Sequence, residues 1–133
     1  IKHMKINTHQ FGEVEYSEDL VINFAEGLFG FENLHKYLFI KTEDELFYWL
    51  NSVEQPDIAF ALIGLRIIDE KFPTIEENEA FGIVTFSKNP ADVKVNLKAP
   101  VYVNQDSKSG FQKIIDSDKY PIAYNLFVEE KQS

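Results

Sequence analysis

The chain has 133 residues, no cysteine and a formal net charge of −9 at pH 7. Without cysteine it has no disulfide framework, no thiolate nucleophile and no cysteine-ligated zinc or iron–sulfur site. The negative charge disfavours direct binding to nucleic-acid phosphates or anionic membranes and favours basic partners, although acidic surfaces also serve solubility alone. No apolar run approaches the roughly 20 residues that cross a bilayer, so a cytoplasmic protein is expected.

The length fits one domain, which we place at residues 4–128. Residues 1–3 precede Met4 and resemble the remnant of an expression tag, so His3 is set aside. Residues 129–133 are expected to be a frayed tail. An acidic domain without cysteine needs no oligomer, and the free protein is expected to be a monomer.

Short β-rich runs separated by turn residues predict an all-β fold of the antiparallel sandwich or barrel type. The run 58–65 is apolar on both faces, which predicts a strand that is covered on both sides. Helix is expected only as a brief segment at 32–36. In chain order, the predicted strands are 5–7, 12–16, 21–24, 37–41, 46–50, 58–68, 80–88, 93–97, 101–104, 112–115 and 122–124.

Turn chemistry connects several of these strands. Gly27 and Gly30 are expected to adopt positive φ angles in a turn that places Leu28, Phe29 and Phe31 in the core. Residues 72–79 read as a long exposed loop. The polar segments 88–92 and 105–110 each predict a tight connection between two antiparallel strands.

The residue patterns give little support for catalysis or metal binding. His9 and His35 lie in separate segments with no ligand spacing around them. Glu43 and Glu45 are able to face one side of a strand, but a hydrated acidic loop is the commoner arrangement. Trp49 is interpreted as a half-buried core aromatic in preference to a ligand-stacking residue. The residues alone therefore indicate an acidic β domain, for which no metal or cofactor is expected.

An alternating strand pattern in residues 93–97 is interrupted by Pro100 and resumes at 101–103. Proline donates no hydrogen bond to a sheet, so the chain is expected to bend here and change its neighbours. Asn96 and Asn104 are weak strand formers on either side of the bend. Their amides are expected to bond backbone groups that Pro100 frees, in preference to contacting a partner.

The segment Asn96-Leu97-Lys98-Ala99-Pro100-Val101, followed by Asn104, Gly110 and Gln112, resembles the signature of the FliW family of flagellar assembly factors. Segments 24–32, 49–52 and 56–60, with Tyr37, agree with the family in the same order. The resemblance implies a single-domain, strongly twisted antiparallel pseudobarrel with at most short helical turns. It also implies a structural role for six signature residues, namely Gly27, Gly30, Phe31, Asn96, Pro100 and Asn104.

Members of this family are non-enzymatic regulators that bind flagellin and, alternatively, the RNA-binding translational repressor CsrA, so that repression of flagellin synthesis is relieved. CsrA-type repressors present basic surfaces, which an acidic partner attracts. We expect two acidic loops to provide this attraction. Their residues are Glu43, Asp44, Glu45, Glu76, Glu77 and Glu79.

The strand 98–102 is the expected flagellin contact, with Tyr102 as an apolar anchor and Lys98 at its rim. The alternative is that Ala99 and Pro100 only form a barrel corner. The chain departs from the family pattern at 63–68, where relatives commonly carry an Asn-Pro step followed by an aromatic residue, and the segment that follows is shorter.

Three other function classes make different predictions. A small β-barrel module for a peptide or a carbohydrate predicts a concave aromatic patch that contains Trp49 or Tyr48. A hydrolase with paired carboxylates predicts two close acids in a pocket. An RNA-binding barrel is disfavoured because basic residues are sparse.

Overall fold

The computed structural model describes residues 2–44 and 46–127. In these residues the short apolar segments of the sequence form mostly β-strands. Glu45 and the predicted tail 129–133 lie outside the described residues. The helical elements are α1 (Leu65–Ile68) and two 3₁₀ turns at Glu18–Leu20 and Pro90–Asp92. The strands are β1 (His3–Thr8), β2 (Gly12–Ser17), β3 (Ile22–Phe24), β4 (Lys36–Lys41), β5 (Phe47–Ser52), β6 (Ala59–Gly64), β7 (Glu79–Thr85), β8 (Lys94–Val95), β9 (Val101–Asn104), β10 (Ser109–Gln112) and β11 (Tyr124–Asn125).

Seven strands close into a barrel in the order β3-β4-β5-β6-β7-β9-β10, and β10 returns to β3. The closure confirms the expected all-β barrel. Neighbouring strands are antiparallel except β10 and β3, which run parallel. These two strands are distant in sequence and are not joined by a hairpin, so tight-turn chemistry gave no indication of their pairing.

The inner faces of the barrel strands form one apolar core. Tyr48 and Leu50 of β5 face inward while Phe47 and Trp49 face outward, as the alternation predicts. Phe24 packs edge-to-face against Tyr37, with ring centroids 5.2 Å apart. The buried members of this core are Ile22, Phe24, Leu28, Leu34, Tyr37, Leu50, Leu62, Phe81, Val101 and Val103.

Two further apolar clusters cover the outside of the barrel. The hairpin β1–β2 packs Tyr16 onto Val21 and Leu38, and His3, which the sequence analysis set aside, pairs with Ser17 in it. Residues 65–72, β8, β11 and the segment around Tyr120 cover the outer faces of β5, β6, β7 and β9.

Asp69 ties two parts of this outer cover together. Its carboxylate accepts a hydrogen bond from the Tyr120 hydroxyl at 3.0 Å and pairs with the Lys119 ammonium at 3.2 Å. The Lys71 backbone N–H, the Tyr120 hydroxyl and Lys119 hold the pKa of Asp69 below its usual value. The C-terminal segment is thereby fixed to residues 69–72.

Several predicted elements differ from the structure. The strands predicted at 80–88, 93–97 and 122–124 are observed at Glu79–Thr85, Lys94–Val95 and Tyr124–Asn125. The strand predicted at 58–68 ends at Gly64, because Leu65 turns into the outer core and starts α1. No helix forms at 32–36, since the Glu54 carboxylate accepts hydrogen bonds from the His35 and Lys36 backbone N–H groups at 2.6 and 2.7 Å and so directs this segment into β4. The strand predicted at 112–115 is shifted to Ser109–Gln112.

The structure confirms the bend and the antiparallel pairing across both predicted connections, although the first connection spans residues 86–93 and the second spans residues 105–108. Strand β7 pairs antiparallel with β8, and β9 with β10. Before Pro100 the chain bonds to the C-terminal segment, with the Leu97 N–H donating to the Pro121 carbonyl at 3.0 Å. After Pro100 it bonds to β10 on the same side. The chain therefore exchanges one neighbour for another at the proline.

Tyr37 makes the free energy of unfolding depend on pH in the alkaline range. Burial, with a smaller contribution from Glu54, raises the pKa of its phenol to about 12. An unfolded tyrosine has a pKa of about 10, so the unfolded chain loses this proton first. The free energy of unfolding is therefore unaffected by this group below pH about 10 and decreases as pH rises through about 12.

Tyr37→Phe should remove this part of the decrease, as measured by urea unfolding at pH values from 8 to 12. Burial also raises the pKa of Tyr102, so the slope should be reduced and not abolished. A slope equal to that of the parent protein would contradict the assignment to Tyr37.

Candidate functional site

The two ends of the barrel carry different residues. Strand register places Phe47 opposite Ile63, Gly64 opposite Phe81, and Glu79 opposite Val103. One end, here called the acidic end, therefore gathers the connecting residues 42–44, 46, 65–78 and 105–108, together with Glu79 at the start of β7. The opposite end, here called the corner end, gathers segments 25–35, 53–58, 96–100 and 113–115.

The glycine turn lies at the corner end. Gly27 and Gly30 have positive φ angles of 68° and 87°, and a Cβ on Gly27 would lie 2.6 Å from the Phe31 carbonyl oxygen. Leu28 is buried and Phe31 is half-buried, but Phe29 is 49% exposed. The expectation that Phe29 enters the core is therefore wrong, because the turn directs it to solvent.

Gln112 joins the two halves of the signature. Its amide nitrogen donates to the Ala99 carbonyl at 2.9 Å, and its amide oxygen accepts from the Phe29 backbone N–H at 2.8 Å. The glycine turn and the proline corner, about 70 residues apart in sequence, are thereby tied together. The only signal for this role in the sequence was the place of Gln112 in the family resemblance.

The signature asparagines have separate environments. The Asn96 side-chain oxygen accepts from the Ala99 backbone N–H at 3.0 Å, immediately before the buried Pro100. The Asn104 side-chain oxygen accepts from the Asp106 and Ser107 backbone N–H groups, each at 3.0 Å. The expectation that Asn104 bonds groups near Pro100 is wrong, because β9 carries it to the acidic end, where it caps a turn.

Tyr102 cannot act as a surface anchor in this structure. Its side chain is 0% exposed, its ring stacks on Phe111 at 5.3 Å, and its hydroxyl donates to the Pro73 carbonyl at 2.9 Å. The alternation of side chains along β9 places Tyr102 on the outer face of the barrel, where Phe72 and Pro73 cover it. The predicted anchor is a structural residue.

Other apolar side chains are exposed beside the corner. The Ile115 N–H donates to the Lys98 carbonyl at 2.8 Å, so residues 113–115 run alongside it. Ile114 in this segment is 61% exposed. Lys98 is half-buried, and its ammonium donates to the Ser117 carbonyl at 3.3 Å. Phe29 and Ile114 thus flank Gln112 as exposed apolar groups.

The predicted acidic clusters lie at the same end of the barrel. Glu43, Asp44, Glu76, Glu77 and Glu79 are all exposed there. Thr42, with the Phe47 and Leu46 backbone N–H groups, lowers the pKa of Asp44, which keeps this carboxylate ionised. The sequence places the clusters in separate loops, and the strand register places both loops at the same end of the barrel.

A pocket of about 380 Å³ opens at the acidic end, within the barrel mouth. Tyr48 and Phe81 lie at its base with ring centroids 5.3 Å apart. Ile67, which sequence reasoning did not single out, lines it and is 66% exposed. The remaining lining residues are Gly64, Arg66, Thr74, Asn78, Glu79 and Ala80.

The other candidate features have structural explanations. Trp49 is half-buried, stacked on Phe86 at 6.0 Å and edge-to-face with Phe11 at 5.8 Å. Within residues 2–44 and 46–127, no group of three or more His, Cys, Asp or Glu side chains is arranged to hold a metal ion. Over the same residues, every helix is too short to span a lipid bilayer.

Comparison with known proteins gives consistent matches over nearly the whole chain. The family described as FliW protein matches residues 5–126. A protein named flagellar assembly factor FliW from Caldanaerobacter subterraneus subsp. tengcongensis is 38% identical, over 98% of this chain and 97% of the relative. Another of that name, from Caldicellulosiruptor saccharolyticus, is 37% identical over 92% and 90%. A crystal structure of the flagellar assembly factor FliW superposes with a TM-score of 0.86 at 25% identity and covers 96% of this chain and 99% of that one.

Proposed function

The chain belongs to the FliW family, and from this premise we propose that it is a non-enzymatic flagellar assembly factor of the cytoplasm. It binds flagellin and, in alternation, a CsrA-type RNA-binding repressor, and it thereby relieves repression of flagellin synthesis. The observation that carries the proposal is the match to proteins named flagellar assembly factor FliW, which covers nearly the full length of those proteins and of this chain.

The acidic end supports binding of the repressor. Acidic residues outnumber basic ones in the segments gathered there, and the repressor presents basic surfaces to RNA. Such complementarity raises association rates and favours this partner over acidic ones. The proposed contacts are Glu43, Asp44, Glu76, Glu77 and Glu79.

The corner end supports binding of flagellin. The terminal segments of flagellin are amphipathic helices whose apolar stripes are unpaired before the filament assembles, and an apolar surface is needed to cover them. Phe29 and Ile114 supply exposed apolar groups on either side of the corner, and Lys98 lies beside them. These two residues replace Tyr102 as the proposed anchors.

The two ends are close enough for one partner to exclude the other. The six residues of β6 correspond to a barrel length of about 20 Å. A helix of about 14 residues covers the same distance. Flagellin helices lying along the barrel would therefore reach the acidic end, so alternation does not require identical contact residues.

Calorimetry with purified monomeric flagellin and purified repressor tests the proposal. Saturable binding of each partner is expected. Ile114→Ser should weaken flagellin binding about tenfold, because it removes one exposed anchor. Leu20→Ser is the control, a 52% exposed aliphatic residue in the 3₁₀ turn Glu18–Leu20, which belongs to neither end, and it should leave flagellin binding within twofold. No binding of either partner would overturn the proposal.

Charge steering is tested by neutralising Glu43, Glu76 and Glu77 to glutamine. We expect the association rate with the repressor to decrease about tenfold at low salt and to depend less on ionic strength. The control variant carries the same charge change elsewhere, at Glu13, Glu15 and Glu26, and should keep the parent rate. Equal rates and salt slopes for the two triple variants would contradict steering by the acidic end.

A further inference from the structure

We infer that the pocket in the acidic end receives one basic side chain of the bound partner, and that it selects arginine over lysine. The identity of that partner as the repressor rests on the proposed function. The chemistry of the pocket does not, because it follows from the residues that line it.

The base of the pocket is aromatic. Tyr48 and Phe81 face the interior of the barrel, and their rings meet at 68°. Phe39 supports both, with ring centroids 5.1 Å from Tyr48 and 5.3 Å from Phe81. Tyr48 and Phe81 also line the pocket, so two supported π surfaces close the barrel beneath it.

A carboxylate stands above this base. Glu79 and Phe81 are two residues apart in β7, so their side chains share the inner face of the strand. Glu79 therefore projects into the barrel mouth, where the amide of Gln105 lies 3.5 Å from one of its carboxylate oxygens. An inward-facing charge over an aromatic surface is the arrangement that attracts a cation.

The other lining residues fit a long basic side chain. Ile67 presents an exposed apolar surface to the aliphatic stem. Arg66 at the rim directs its Nε toward the Glu70 carbonyl at 3.4 Å. The nearby Glu76 and Glu77 add negative charge. A volume of about 380 Å³ is at the small end for a ligand site and suits one side chain better than a carbohydrate chain.

Arginine matches this set of groups better than lysine. Its planar guanidinium stacks on aromatic faces and forms two parallel hydrogen bonds with a carboxylate. The lysine ammonium is more strongly hydrated and bonds as a point charge. The aromatic base and Glu79 together therefore favour the guanidinium.

The probe for this inference is N-acetyl-arginine amide, titrated into the ¹⁵N-labelled protein and followed by NMR chemical shifts. Saturable shifts are expected at residues 48, 67, 79 and 81. The lysine analogue should bind at least threefold more weakly, and the neutral citrulline analogue should produce no saturable shift. Equal shifts with citrulline, or saturable shifts only elsewhere on the protein, would overturn the inference.

Variants assign the binding to the pocket. Glu79→Gln, at an exposed position, should weaken arginine-amide binding at least tenfold, and Tyr48→Leu should weaken it through loss of the ring. Glu13→Gln, an exposed glutamate on the β1–β2 hairpin, is the control and should bind as the parent does. Arginine-amide binding by Glu79→Gln at the parent affinity would contradict the assignment.

Titration of the repressor into the same samples separates this inference from the proposed function. Weaker repressor binding by Glu79→Gln supports the inference. Parent-level repressor binding by Glu79→Gln overturns it and leaves the proposed function standing. A parent protein that binds the arginine amide in the pocket but does not bind the repressor leaves the arginine selectivity standing and overturns the proposed partner.

Discussion

Tyr102→Ala is expected to lower the free energy of unfolding by about 3–5 kcal/mol. The side chain is fully buried and stacks on Phe111, so alanine leaves a cavity between β9 and the segment that covers it. The Pro73 carbonyl also loses the hydrogen bond that it accepts from the hydroxyl. Urea unfolding followed by circular dichroism measures the change.

Tyr102→Phe separates the ring from the hydroxyl. It keeps the stacking and loses one hydrogen bond, for an expected cost of about 1 kcal/mol. If Tyr102→Ala instead unfolds at the parent urea concentration and binds flagellin weakly, Tyr102 is a contact residue and its assigned structural role is wrong.

Gly110→Ala is expected to cost about 1–3 kcal/mol through overpacking. A Cβ at this position would lie 2.3 Å from Cζ and 2.6 Å from Cε2 of Phe24. The Phe24 ring is fully buried and packed against Tyr37, so it has no space into which to move. The free energy of unfolding should decrease without a change in the acidic end.

Gly64→Ala is the matched control for this substitution. The nearest atom to its added Cβ is Cδ1 of Ile67 at 3.6 Å, and its φ of −64° suits alanine. Its stability should stay within about 0.5 kcal/mol of the parent. Equal effects of the two alanines would show that contact with Phe24 is not what requires glycine at position 110.

Local pattern predicted the strands and their faces but not their neighbours. The alternation in β5 correctly assigned Trp49 and Tyr48 to opposite faces, because a strand has a period of two whatever it pairs with. The parallel pairing of β10 with β3 depends on contacts between residues more than 80 positions apart, and no local pattern encodes it.

Three side chains lie in environments that their local sequence did not predict, for different physical reasons. Tyr102 lies in a strand whose outer face has no local sign of a cover, and Pro73 covers it from 29 residues away. Phe29 is a large apolar residue of the kind found in cores, yet the positive φ angles of Gly27 and Gly30 direct its side chain to solvent. Asn104 is separated from Pro100 by β9, and its side chain therefore caps the turn that follows this strand.

The two acidic clusters are visible in the sequence. Their position at the same end of the molecule follows only from the strand register of the barrel. The segment 63–68, where the chain departs from the family pattern, contains α1, and its Arg66 and Ile67 line the pocket. The part of the sequence that the resemblance explained least therefore forms one wall of the proposed arginine site.

The central claim is that flagellin and the repressor bind in alternation, and a competition experiment tests it most directly. Monomeric flagellin is titrated into a complex of this protein with a fluorescently labelled repressor, in the presence of an RNA that the repressor binds. We predict that the labelled repressor is released in proportion to the added flagellin and then binds the RNA. A stable complex of all three proteins, or a repressor that stays bound at saturating flagellin, would contradict the claim.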